Sequence, residues 1–565
     1  MEAIDNVVMG CFFALLFGVS AVVSRRRASK EQFFLAGRRL KWLYIGFALI
    51  AINVGARYVI GFAGVGYTQG ALFGQYEVVS TLNLLVLVFF LLPLFRASGI
   101  YTMPQLLRHR YGESTHLIFS IIAIVSIFLT VPAGSALLSA TLSELTGTNM
   151  WVYVAVLVTT CVVVTMWGGL TSVAYTDMLM GFVIIVGGVV VTSAALSHEA
   201  VGGLGGLVEK IGESKPELLT LFRQGGPIPW QAVFTGVFLI GLWFWCIDQT
   251  KMQIVLGART LNDGRRGAML LALLKFVTAF LVLTPGLCGR LIYPGLEKAD
   301  PVYGMMLRDL VGPGVRGLVV AGLAAAVIST LMALLNAASS IFTNDVFGRM
   351  VSEETFDRHA IRCSRLFVLA AGGLTFGGVA IYARFEAVMT VLLKVYGLVA
   401  GPTLAAYLLG IFWRRATARG ANLALTVGLV VSFGAEFVPH LARLDALYTS
   451  HSPAVVWLTD HLLWLGDVNH HYRSAFTFLF SCGLLMVASL LSAPPDPRRL
   501  ERTTFAWYWR RRRELEARAA TPDDHQGEPL KDPWYLDYRL WSAVMVALLL
   551  ATWWVFGLAR IWRGF

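Results

Sequence analysis

Between Leu43 and Gly70 the chain reads LYIGFALIAINVGARYVIGFAGVGYTQG, an apolar run broken at its centre by Asn53, Gly55 and Arg57. At about 1.5 Å per residue, a helix needs roughly 20 residues to cross the hydrocarbon of a bilayer, so the run is long enough to span. One smooth, lipid-facing helix is excluded. It would leave an asparagine, a guanidinium and freed backbone carbonyls without partners at the bilayer centre. An interruption at that depth survives only where it lines a protein-enclosed or wet cavity. The stretch demands a bundle around it and something polar to bind within it.

The remaining sequence supplies the bundle. Of 565 residues 57% are hydrophobic and only 14% charged, too little polarity to cover a soluble globule of this size. Apolar runs at Asn6 to Ser24, Leu72 to Phe95, Leu117 to Leu138, Met150 to Trp167, Met178 to Leu196, Trp230 to Leu256 and Ala268 to Leu291 fill the first half. Gly317 to Thr343, Leu366 to Ala383, Val388 to Trp413, Leu423 to Phe437, Ala475 to Leu491 and Leu540 to Leu558 follow. With the broken stretch, these predict about 14 helices of a multi-pass plasma (inner) membrane protein. Most of the 46 Lys and Arg residues fall in alternate loops, a bias that places those loops in the cytoplasm and both termini outside. The first run has Glu2 and Asp5 before it and Arg25 to Arg27 after it, the reverse of a signal peptide, and reads as a retained span.

The same charge pattern excludes other classes. A net charge of +12 dispersed between apolar runs is not a nucleic-acid stripe. Six cysteines without paired spacing indicate neither a disulfide framework nor a zinc site. No nucleophile-base set appears, so the chain does not read as an enzyme, and no resident cofactor is expected. GGLGG at Gly202 and GVGYTQG at Gly64 do not follow a strand and are not phosphate loops. Ser197 to Pro229 and Glu436 to Arg473 read as external loops, with His470 and His471 as solvated surface. Ser492 to Arg539, carrying Arg510 to Arg513 and TPDDHQGEPLKDP, reads as a cytoplasmic tether.

Arg57, Lys275, Arg290 and Lys394 lie within apolar spans. A charge there costs about 2.5 to 3.5 kcal/mol on insertion scales, so each requires a partner, a wet cavity or a route to the interface. Arg290 is near a helix end and is expected to snorkel. The others, with Glu77 and Asp248, describe a polar interior.

FFLAGRRLKW from Phe33, MWGGLTSVAYTD from Met166, WCIDQTKMQIVLGAR from Trp245 and GLVVAGLAAAVISTLMALLNAASSIFTND from Gly317 resemble the sodium/solute symporter family. Within it, the sodium-driven sugar transporters are the most similar. The resemblance covers about Asn6 to Phe412 and implies an all-α polytopic membrane protein with a LeuT-like inverted repeat of 5+5 core helices. One extra N-terminal and about three extra C-terminal helices surround it. The implied divisions are an N-terminal span and loop at 1–42, the first repeat at 43–196, an external loop at 197–229 and the second repeat at 230–413. Extra spans at 414–491, a basic linker at 492–539 and a final span at 540–565 complete the chain. The first span of each repeat is expected to be interrupted, at Asn53 to Arg57 and at Gly241 with Asp248.

The resemblance also implies a sodium cage formed by backbone carbonyls of Ala51, Val54 and Ala326 and the hydroxyls of Ser329 and Thr330. Ala326, Ser329 and Thr330 stand at i, i+3 and i+4, one face of a helix, and neutral oxygens suit a hard monovalent cation. The alternative is that the hydroxyls bond back to their own helix. Asp177 is implied as an aid to ion exit. Asn53, Glu77, Ser80 and Lys275 match solute-binding positions, and Trp245 matches an aromatic beside them. The family pattern is broken at Gly241, where relatives carry asparagine, at Phe244, where they carry a gating tyrosine, and at Leu393 or Lys394, where they carry glutamine. Arg57 stands where relatives have small or acidic residues, either as a salt-bridge partner of Glu77 or as a binder of a substrate carboxylate.

One sodium ion entering down about 100 mV gains roughly 2.3 kcal/mol and a tenfold gradient about 1.4 kcal/mol more, enough to accumulate a neutral solute a few hundredfold. A monoanion loses the electrical part and would benefit from a second sodium. Met332 stands where two-sodium relatives place another hydroxyl, so the expectation is one sodium with a neutral sugar or polyol. A small carboxylate or sugar acid is the alternative, ahead of a sensor or channel.

Overall fold

Every expected apolar run falls on a helix, as a bilayer requires of a chain whose backbone groups must find partners within the segment. The computed structural model describes residues 2–24, 40–100, 102–167, 171–385, 388–442, 468–520 and 537–558. The first elements are α1 (Ala3–Ser24), α2 (Trp42–Asn53), α3 (Ala56–Gln69), α4 (Gly74–Val86), α5 (Leu92–Ser98), α6 (Met103–Tyr111), α7 (Glu113–Thr146), α8 (Met150–Trp167), α9 (Thr171–Leu196) and α10 (Gly203–Ser214). Next come α11 (Trp230–Cys246), α12 (Gln249–Leu256), α13 (Leu261–Ile292), α14 (Val302–Asp309), α15 (Val315–Ile341), α16 (Glu353–Tyr382) and α17 (Val388–Phe412). The last four are α18 (Ala418–Ala442), α19 (His470–Leu490), α20 (Phe505–Ala520) and α21 (Tyr538–Trp553). Among the described residues nine helices are long and apolar enough to cross a membrane, and a tenth span is formed if the bent pair α11 and α12 is counted as one. Shorter apolar helices lie at Ala3–Leu15, Trp42–Asn53, Met150–Val163 and Met180–Leu196.

The broken span α2–α3 lies at the centre. It packs along α13, with α9 against α2 and α7 against α3. Without a hydrophobic driving force between helices in lipid, small residues that admit close approach fix such contacts. At Gly286 a Cβ would stand 2.1 Å from the Ala63 carbonyl oxygen of α3, so α13 lies directly on the backbone of α3 there and no larger residue fits.

The N-terminal helix is fastened by charge. Asp5 is buried and pairs with Arg316 at 2.7 Å, while its other oxygen accepts the backbone N–H groups of Gly314 and Gly317 at 2.8 and 3.1 Å. These are the opening residues of α15, whose unsatisfied N–H groups attract a carboxylate.

Three expectations change in the folded chain. Glu436 and Arg473 belong to α18 and α19 rather than to a loop, and they pair at 2.7 Å. His471 is fully buried instead of solvated, because α19 begins at His470 and packs this turn against Tyr76, whose hydroxyl is 3.1 Å from Nε2. Within the linker, FAWYWRRRRELEARAA forms α20, since its good helix formers outweigh the like charges. TPDDHQGEPLKDP lies outside the described residues.

Candidate ion and solute site

The first break is two residues long. Val54 ends α2 with φ −92° and ψ 52°, and Gly55 precedes α3 in extended backbone. The side chain that looks at this gap is Thr330 of α15: a Cβ at Gly55 would meet its hydroxyl at 3.6 Å, and that buried Oγ1 has no hydrogen-bond partner within the protein. Ala51, Val54, Ala326, Ser329 and Thr330 are all buried. Thr330 does not bond back to its own helix, which is the arrangement that a neutral-oxygen cation site requires.

On the other side of α3, Glu77 of α4 and Lys275 of α13 form an ion pair, both almost wholly buried. The Lys275 ammonium stands 4.7 Å from the centre of the Trp245 ring and 5.4 Å from that of Tyr58. Burial of two charges is tolerated because each neutralises the other and the aromatic faces add favourable electrostatics. The Nδ2 of Asn53 is buried without a partner. Ser80 donates its hydroxyl to the Glu77 carbonyl of its own helix, so it presents no free donor in this conformation. Lys394 lies elsewhere, 3.5 Å from Glu436, because α18, which supplies that carboxylate, packs on α17. Arg290, near the end of α13, donates its guanidinium to the Tyr67 carbonyl at 3.0 Å. The side chains of Arg57 and Asp177 lie outside the described residues, so the proposed Arg57 pairing with Glu77 does too; the observed partner of Glu77 is Lys275.

Of the two residues expected to interrupt the second span, Asp248 does so and Gly241 does not. Gly241 lies inside α11, and the chain bends by 49° at Ile247 and Asp248. Gly241 instead leaves volume for a neighbour, since a Cβ there would stand 2.1 Å from Nδ2 of Asn83. Asp248 caps α12 by accepting the Thr250 N–H at 2.9 Å and pairs with Lys251 at 3.2 Å. The Lys251 ammonium then sits 3.6 Å from the centre of the Phe244 ring.

Phe244, Trp243 and Tyr396 form an aromatic layer, with Tyr396 5.2 Å from Phe244 and 5.8 Å from Trp243. Beyond it runs a cavity lined by Pro104, Thr130, Asp248, Lys251, Leu334 and Tyr396 among others. A smaller pocket shares Leu334 and reaches Gly55 and Thr330. The cavity thus leads from the α6 and α12 side of the bundle toward both the aromatic layer and the first break. The opposite side is covered: Gln75 at the start of α4 donates to the Leu221 carbonyl at 2.9 Å, and Asp300 packs on Gly64 while accepting the Val388 N–H at 3.3 Å. Among the described residues, a cavity on one side and packed contacts on the other fit a fold that works by alternating access.

Sequence reasoning missed Tyr58, Trp243, Tyr396 and Lys251. Tyr58 and Lys251 carried a usable signal, standing three to five residues beyond Gly55 and Cys246 in the two interrupted spans, where a helix restarts. Trp243 and Tyr396 had none, being aromatic residues in apolar runs.

The model of the sodium:solute symporter family matches residues 33–428. The chain is 28% identical over 476 residues to a sodium/glucose cotransporter of Vibrio parahaemolyticus, covering 78% of this chain and 86% of that one. It is 27% identical over 556 residues to sodium/myo-inositol cotransporter 2 of Oryctolagus cuniculus, covering 91% and 81%. Among solved structures, a sodium-coupled sialic acid symporter in a substrate-bound outward-open state superposes with a TM-score of 0.72 at 19% identity, covering 88% of this chain and 99% of that one. Mhp1, a nucleobase-cation-symport-1 family transporter, gives 0.50 at 15% identity, covering 84% and 99%. The fold is LeuT-like.

Proposed function

We propose a solute for this chain, which belongs to the sodium:solute symporter family: a small, neutral, polyhydroxylated molecule, a sugar or polyol, taken up with one sodium ion. The observation that carries this reading is the buried Glu77–Lys275 pair. A carboxylate substrate would need an unneutralised cation, whereas among the described residues the central ammonium already has its counter-ion. The pair and the Asn53 amide offer donors and acceptors together, which is what hydroxyl groups require. The cotransporter relatives, named for glucose and myo-inositol, support the same class.

Sodium would be held between the first break and α15 by the Ala51, Val54 and Ala326 carbonyls and the Ser329 and Thr330 hydroxyls. Its binding would favour the outward, solute-ready state, so sodium and solute must raise each other's affinity by the same factor. Met332 supplies a thioether, a poor ligand for a hard cation, which favours a single ion and electrogenic uptake in an orientation with both termini outside. Asp177 is assigned to ion exit.

The test is a thermal-shift screen of purified protein against sugars, polyols and carboxylates, each in sodium and in potassium, followed by sodium-dependent uptake in proteoliposomes. Stabilisation by hydroxylated solutes only in sodium is expected. Stabilisation by carboxylates alone would replace the neutral-solute reading with the anionic one, and a reversal potential corresponding to two sodium ions per solute would overturn the single-sodium reading and reopen the anionic class.

A further inference from the structure

We propose that the carboxamide of Asn83 is a solute-binding group, standing in for the amide missing at Gly241; the inference rests on the neutral-solute reading above. Asn83 lies on α4, six residues or about one and two-thirds helical turns beyond Glu77. It is wholly buried, and neither Oδ1 nor Nδ2 has a hydrogen-bond partner within the protein. A buried carboxamide with both ends unpaired is costly, and packed apolar residues of the same shape would be less so. The backbone there is firmly held, with the Asn83 carbonyl accepting from the Cys246 thiol at 3.3 Å.

Its position ties it to the site. Nδ2 occupies the volume directly over Gly241, and any side chain at 241 would collide with it. Trp245 is one turn further along the same face of α11, and its ring carries the Lys275 ammonium that pairs with Glu77. Asn83 therefore faces α11 one turn from Trp245, the ring that the Lys275 ammonium of the charge pair approaches. Its chemistry also narrows the ligand. A free acceptor and a free donor on one planar group match two neighbouring hydroxyls of a ring, one donating and one accepting, while a carboxylate could use only the donor. Together with the unpaired Asn53 Nδ2, this favours a cyclic polyol.

The experiment uses the full-length protein in detergent and in proteoliposomes, with D-glucose, myo-inositol and sialic acid as probes. In Asn83→Leu, which keeps the volume and removes the amide, thermal stability without solute should be unchanged or raised and stabilisation by sodium alone should persist. Affinity for the hydroxylated probe that stabilises the parent should fall by at least about tenfold. Asn83→Ala combined with Gly241→Asn returns a carboxamide to the same volume from the other helix and should recover most of that affinity. It also serves as the informative variant if Asn83→Leu does not fold. Unchanged probe affinity in Asn83→Leu, with or without lost stability, would overturn the inference alone. So would an Asn83→Ala, Gly241→Asn protein that folds and binds no better than Asn83→Ala. If the unmodified protein is stabilised by neither D-glucose nor myo-inositol but by sialic acid, the neutral-solute reading and this inference fall together.

Discussion

The two interrupted spans use one backbone device for two different ends. At the first, the two non-helical residues between α2 and α3 are buried, without a carboxylate among the groups described there, and face an unpaired threonine hydroxyl. At the second, the bend between α11 and α12 carries Asp248 and Lys251, lies on the cavity, and props an aromatic ring with an ammonium. A break that offers neutral oxygens can exchange one hydration shell for another without surplus charge. A break that carries its own ion pair is held by that pair and suits a hinge or gate. The difference shows that interruption supplies polar backbone, while neighbouring side chains decide whether it becomes a binding site or a joint.

The comparison can be broken most severely where the regions meet, at the charge pair that faces Tyr58 after one break and Trp245 before the other. Lys275→Met or Glu77→Gln leaves one buried charge uncompensated and should cost about 3 to 5 kcal/mol, whereas the double replacement should recover most of it. Thermal unfolding of the four proteins in a double-mutant cycle checks this, and additive losses would mean that the two residues are not a pair.

At the first break, Thr330→Ala or Ser329→Ala should weaken sodium activation by about tenfold or more, roughly 1.4 kcal/mol, with little loss of stability in potassium. Equal sodium-induced shifts in parent and both variants would remove the ion from this break. At the second, Asp248→Ala deletes a helix cap and the partner of Lys251, and should cost about 1 to 2 kcal/mol of stability. Sodium's own stabilising effect should remain. A variant that loses sodium sensitivity instead would erase the distinction between the two breaks.

The smallest effect concerns the covered side. Burial pushes the Asp300 carboxyl up to about 6 from its ordinary 3.8. A group raised in the folded state contributes fully below its ordinary value, and that contribution is lost as pH rises through about 6. Because Asp300 is only half-buried, the change between pH 4 and 7 should stay within about 1 kcal/mol. Asp300→Asn should flatten that part of the stability profile, and an unaltered slope would assign it to other groups.

How much of this was legible depended on sequence distance. The first break could be read because Asn53, Gly55 and Arg57 interrupt one apolar run. For its counterpart, named by Gly241 with Asp248, Asp248 marks the bend while α11 continues through Gly241, whose lack of a side chain makes room for Asn83. Glu77 and Lys275 were both recognisable as charges needing partners, but 198 residues separate them, and only the packing of α4 against α13 makes them a pair. Lys394 is a solute candidate only through its match to a family glutamine, and its ion pair with Glu436 depends on the packing of α18 on α17. Hydropathy thus located the helices, and charges in the bilayer flagged the interior. The pairings came from tertiary contacts that no local pattern encodes.

The clasp between Asp5 and Arg316 joins residues 311 positions apart, which has a consequence for biosynthesis. At synthesis rates of about 5 to 20 residues per second, the carboxylate of the first helix waits roughly 15 to 60 s before its guanidinium leaves the ribosome. During that interval α1 is present without the contact that docks it on α15. Its final seating must therefore be a late event in assembly, and chains stopped before Val315 would carry an N-terminal helix with no ionic anchor.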